Sequence, residues 1–127
     1  MREKTVIIMI NKTLIPLSRK EVAPRFDLAT EARIITVSKN NIVEEERTIV
    51  LAQASAEKLC HLILVENIQT VICGAIEDEY YQFLKWKKIL VIDSVSGLCS
   101  VAFGHHLNNT LKSGDMFFKR SIEGEDV

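Results

Sequence analysis

Few residues in this sequence staple, break or anchor a chain. The three cysteines, Cys60, Cys73 and Cys99, are odd in number and widely spaced. They form neither a disulfide framework nor a CxxC zinc pattern, so reduced thiols and a cytoplasmic location are expected. Near the start only Val6 to Ile10 is continuously apolar, too short a run for a secretory core or a membrane span. Neither sign of charge dominates, and a formal net charge of −1 removes the electrostatic basis for non-specific nucleic-acid binding. Lys85, Lys87 and Lys88 form a local basic cluster, read as a solvated helix end where cations suit the macrodipole. No internal repeat or low-complexity segment is visible.

What is present is ordinary for a soluble globular protein: 47% apolar and 26% charged residues in 127. A chain of this length forms one domain and buries roughly two thirds of its unfolded surface. Thr70 to Asp93 organises it. Val71-Ile72-Cys73 is a short apolar run halted by Gly74, and Lys88-Ile-Leu-Val-Ile92 repeats the pattern before Asp93-Ser94. Between them Tyr80, Phe83 and Leu84 fall at helical spacing, so Glu77 to Trp86 can lay one face on a sheet. The result is a βαβ unit with a right-handed crossover. Ligands of open α/β sheets collect beyond the carboxyl ends of the strands, here Cys73, Gly74, Ala75 and Asp93.

Upstream, β-branched content predicts a strand over Thr13 to Leu17. Pro16 is placed at its end because proline donates nothing to a ladder, and residues 1–11 are an extension or the start of that strand. Ser18 to Leu28 is a polar loop, stiffened by Pro24, that presents Arg25, Phe26 and Asp27. Ala32 to Ser38 and Ile42 to Leu51 are strands joined by a turn at Asn40-Asn41, since asparagine tolerates positive φ. Glu44, Glu45 and Glu46 mark a charged edge strand rather than a metal site. Ser55 to Glu66 reads as a helix, with Ser55 as cap, Glu57 in the first turn, Ala56, Leu59, Cys60, Ile63 and Leu64 as its apolar stripe and Asn67 in the left-handed position beyond. A last helix is predicted from about Val95 to Leu111, ended by Gly114. Residues 115–127 are a tail, acidic and loosely held from Phe117 on.

Several stretches together resemble the dinitrogenase iron-molybdenum cofactor-binding family, the small domain of NifX-type proteins and of the C-terminal end of many NifB proteins. The matching residues are Thr13-Leu-Ile-Pro-Leu17 leading to Val22-Ala-Pro-Arg-Phe-Asp-Leu-Ala-Thr30, then Glu57-Lys-Leu-Cys-His-Leu-Ile-Leu64. They continue through Val71-Ile-Cys-Gly-Ala75 and Glu77-Asp-Glu-Tyr-Tyr81 to Val91-Ile-Asp-Ser94. Their order spans residues 12–114. The resemblance implies a three-layer α/β/α ribonuclease-H-like fold with a mixed five-stranded sheet. It also implies non-covalent binding of an iron-sulfur or molybdenum-containing cluster, or its precursor, for storage or delivery, with cluster donors and acceptors as partner proteins. The family's usual glycine pair is here Gly74-Ala75, and residues 1–11 are additional. No nucleic acid or membrane is expected as a partner, and a homo-oligomer is compatible.

Cys73 is the first candidate ligand, because a thiolate is a soft donor for iron; a small buried hydrophobe is the alternative. His61 is the second. Cys60 and His61 lie about 100° apart on a helix, so one is expected to face a site and the other the core. His105 and His106 are read as helix-surface residues for the same reason. Arg25 and Asp27 are either a site pair, the guanidinium holding an anion, or an ion pair that pins the loop. Phe26 is an anchor for that loop or a wall of the site, and Gly74, Ala75 and Asp93 complete the strand-end mouth. Tyr80, Tyr81, Phe83 and Trp86 crowd one short helix, so Tyr81 or Trp86 must be exposed. A regulatory or scaffolding module binding a protein or small anion without metal is the second reading. A third is a nuclease holding Mg²⁺ between Asp27, Glu77 and Asp93; it lacks a basic groove. No GxSxG supports a hydrolase.

Overall fold

The computed structural model describes residues 11–117, so the expectations for the first ten residues and for the acidic tail lie outside the described residues. The strands are β1 (Asn11–Ser18), β2 (Glu21–Val22), β3 (Glu31–Val37), β4 (Val43–Val50), β5 (Thr70–Ile72), β6 (Leu90–Ile92), β7 (Ser96–Gly97) and β8 (Met116–Phe117). The helices are α1 (Ala56–Val65), α2 (Asp78–Trp86) and α3 (Cys99–Leu107), with a 3₁₀ turn at Phe26–Leu28.

The sheet is mixed, in the order β4-β3-β1-β5-β6, with β2 paired to the end of β1. β1, β5 and β6 run parallel, whereas β3 is antiparallel to both β1 and β4. Six strands replace the expected five because Glu21 and Val22 pair with Ser18 and Leu17.

Register follows from burial. Leu14 sits opposite Ile34 on one side and Val71 on the other, and Val71 opposite Val91. All four point into one core, with Ala56, Leu59 and Ile63 of α1 and Leu84 of α2. Their chain neighbours Ile15, Ile35, Ile72 and Ile92 point into the other, against Ala102 and Phe103 of α3. A strand buried on both faces needs an unbroken apolar run rather than alternation, as in Val71-Ile72. A one-residue slip would exchange the two cores wholesale. β4 is an outer strand, and Glu44, Glu45 and Glu46 are exposed along it.

Three expectations are corrected. Pro16 lies within β1, not at its end. Its carbonyl accepts from the Ala23 N–H at 2.8 Å, on the side where pairing with β5 has already stopped at Leu14, so its missing N–H costs no ladder bond. The polar loop sends three side chains into the core: Val22, Ala23 and Phe26 are buried, while most of its other residues are exposed. The last helix is shorter than predicted at both ends. Ser94 has φ 58°, the Val95 N–H donates to the Cys73 carbonyl at 3.0 Å, and Ser96-Gly97 pair with Met116-Phe117, so helical backbone begins only at Cys99. Asn109 at φ 60° ends it, and Phe117, expected in the tail, belongs to β8.

Candidate functional site

The carboxyl end of β5 is closed by backbone. The Ala75 N–H donates to the Pro24 carbonyl and the Phe26 N–H to the Ala75 carbonyl, both at 2.8 Å. Gly74 lies beneath this zipper, where a side-chain carbon would meet the Ala23 and Pro24 carbonyl oxygens. The glycine therefore admits another strand of the chain, not a ligand. Phe26 is a core anchor with its ring centroid 6.3 Å from that of Tyr80, so it does not wall a site.

Cys73 is corrected from mouth to interior: its exposure is 0%, and burial first, then Asp93, push its thiol up to about 12. Arg25 grips Asp27 through two bonds, Nε to Oδ1 at 3.0 Å and Nη2 to Oδ2 at 2.7 Å. This pairing raises the guanidinium pKa and lowers that of the carboxyl. Asp93 fastens a distant turn, accepting from the Ser113 hydroxyl at 3.0 Å while its own N–H donates to the same oxygen at 3.2 Å. Asp27 and Asp93 are thus each bonded to a structural partner, and they do not converge with Glu77 into a metal-holding group. His105 bonds Thr110 through Nδ1 at 2.9 Å and stacks on Phe117.

The opening that carries donor atoms lies between α1 and α2. Ser55 caps α1 by accepting from the Lys58 N–H at 3.1 Å. Glu57, Cys60, His61 and Leu64 then follow at i, i+3, i+4 and i+7 along one wall, and Glu79, Tyr80 and Phe83 of α2 form the other; the cleft holds about 450 Å³. Cys60 is its floor, buried and in the core cluster, and His61 is its exposed rim. Sequence reasoning separated the two residues by their 100° offset, yet a groove lying over the bisector is lined by both. Burial and, second, Glu57 push the Cys60 thiol up to about 11.

Glu57 and Glu79 were missed as site residues, and so was Leu64, assigned to the stripe. Helical spacing along α1 could have found Glu57 and Leu64, whereas nothing local pairs them with Glu79 of α2. Among the described residues no three His, Cys, Asp or Glu side chains converge in metal-holding geometry. The described helices include none long and apolar enough to cross a membrane.

No protein-family model matches the chain, and no curated protein matches it. Solved structures do. PH0822 superposes with a TM-score of 0.72 at 15% identity, over 80% of this chain and 93% of that one. A candidate dinitrogenase of Methanocaldococcus jannaschii, MJ0327, gives 0.67 at 20% identity, over 80% and 91% of the two chains. A candidate NifB protein of Thermotoga, TM1290, assigned to the DUF35 family, gives 0.60 at 14%, over 86% and 97%. At these identities the likeness is one of fold.

Proposed function

We propose that this protein is a non-catalytic carrier or store for an iron-sulfur or molybdenum-containing cluster, or for its precursor, and that the cargo docks in the α1–α2 groove. The observation that carries the reading is the pairing of a thiol and an imidazole, Cys60 and His61, along one cleft of about 450 Å³. Supporting it are the fold shared with the candidate dinitrogenase and NifB proteins and a strand order, β4-β3-β1-β5-β6, that suits the ribonuclease-H-like arrangement implied by the sequence resemblance. Two donors give weak, exchangeable ligation, which suits a cargo that must be released. Glu57 and Glu79 make the groove acidic and select against a strongly anionic cluster, so a precursor of low negative charge is the favoured cargo. The test is anaerobic reconstitution with ferrous iron and sulfide: a charge-transfer absorption that co-elutes with the protein supports the carrier, and a colourless, metal-free protein contradicts it.

A scaffolding role is the second reading, and one observation favours it. Trp86 is 73% exposed, with the Lys87 ammonium 4.8 Å above its ring, an amphipathic cationic surface suited to an acidic protein partner.

A further inference from the structure

A second cavity of about 330 Å³ lies at the opposite end of the sheet, where β1 begins and β3 ends, beside the end of α3. Val37 and Leu107 supply an apolar wall; the rest of its lining among the described residues is polar and contains no carboxylate. The scaffold already uses the acceptor half of several of these groups. Gln69 Oε1 accepts from the Lys12 N–H at 2.8 Å. The Ser38 hydroxyl oxygen accepts from the Asn40 and Ile42 N–H groups at 3.3 and 3.4 Å. Their donor halves, the Gln69 amide NH₂ and the Ser38 O–H, take no partner among the described residues, and Lys39 adds an ammonium. Thr13 has 0% exposure, and among the described residues its hydroxyl reaches only Asn11 Oδ1, at a stretched 3.5 Å. A buried hydroxyl so weakly satisfied is unusual.

The end of α3 would oppose an anion through its carbonyl dipoles. Those carbonyls are occupied, however. Gly104, His105 and His106 accept from the N–H groups of Asn108, Thr110 and Asn109, and Leu107 accepts from Asn41 Nδ2 at 3.4 Å.

We propose that this cavity binds a compact organic oxyanion of metabolite size, a carboxylate or a phosphate ester. Its volume falls in the range of small-ligand sites, about 300–1,000 Å³, and unpaired donors with one ammonium and no competing carboxylate are what an oxyanion requires. Asn41 Oδ1, whose amide nitrogen is committed to Leu107, would take a hydroxyl of the same ligand. The site shares no residue with the α1–α2 groove, so it stands or falls separately from the carrier reading.

The test is a titration of the full chain, followed by NMR of backbone and side-chain amides, with inorganic phosphate and with succinate as separate probes. Saturable shifts at Ser38, Lys39, the Gln69 side chain and Asn109 are expected for at least one probe, and the stronger one assigns phosphate or carboxylate chemistry. Gln69→Glu keeps the acceptor for the Lys12 N–H but places a negative charge in the cavity. Lys39→Glu reverses the local charge on an exposed turn residue. Each should weaken binding about tenfold or more in a protein whose spectrum remains dispersed; should Gln69→Glu fail to fold, Lys39→Glu alone decides. Shifts that do not saturate, that scatter over surface lysines, or that survive Lys39→Glu unchanged overturn the proposal.

Discussion

The carbonyl oxygen of Pro24 stands 2.5 Å from the point that a side-chain carbon on Gly74 would occupy. That contact fixes the loop carrying Arg25, Phe26 and Asp27 over the end of β5, and it closes the mouth that strand topology alone would leave open. Gly74→Ala should therefore push backbone against backbone and destabilise the fold by about 1–3 kcal/mol. Urea unfolding checks this, as a lowered midpoint with an unchanged slope.

The opposite sign is expected at Gly104, inside α3, where an added side-chain carbon meets nothing within 4 Å. Gly104→Ala should raise stability by about 0.5–1 kcal/mol, because alanine loses less backbone entropy on entering a helix. The same unfolding curves measure it.

Acidification should loosen the join between β4 and α1. Arg47 and Lys12 both bond Glu66, and they hold its carboxyl below the ordinary value of 4.5. A carboxylate whose pKa is lower folded than unfolded contributes stability above the unfolded value and loses it as pH falls through the folded one. Asp27, lowered by Arg25, behaves the same way, and since both carboxylates are 24% exposed water screens both effects. The unfolding midpoint should drop as pH falls below the ordinary value of 4.5, and Glu66→Gln should start lower at neutral pH and drop less.

Metal uptake in the groove should also weaken on acidification, but through a proton that must leave a thiol. Because the Cys60 thiol is pushed up to about 11, it is protonated at neutral pH and must release its proton to ligate. Apparent affinity for ferrous iron or zinc should rise about tenfold for each unit by which pH is raised toward that value. An anaerobic competition titration at several pH values checks the slope, and a flat profile would remove Cys60 from the ligand set.

Much of the fold was legible wherever local chemistry decided it. Ser55 capping α1, Asn67 at φ 58° beyond it and Asn41 at φ 61° in the β3–β4 turn are set by residues within one turn of themselves. The βαβ unit of β5, α2 and β6 was legible because its strands are short apolar runs with an amphipathic helix between. Contacts between distant segments were not. Nothing near Ser96 announces its pairing with Met116, and nothing in Val71-Ile-Cys-Gly74 says that Pro24 will cover it. Cys73 was read as a ligand at the strand-end mouth or a small buried hydrophobe; it is buried, because the loop after β2 occupies that end. The groove residues were readable as a helix face but not as a site, since the second wall comes from α2.

The central claim, that cargo rests between the two helices and not at the strand ends, is tested most directly by two serine variants. Cys60→Ser and Cys73→Ser, each confirmed as folded, are reconstituted anaerobically with ferrous iron and sulfide beside the unaltered protein, and bound iron and visible absorption are measured. The account predicts that Cys60→Ser loses most of both while Cys73→Ser retains them. Loss in Cys73→Ser with retention in Cys60→Ser would contradict it.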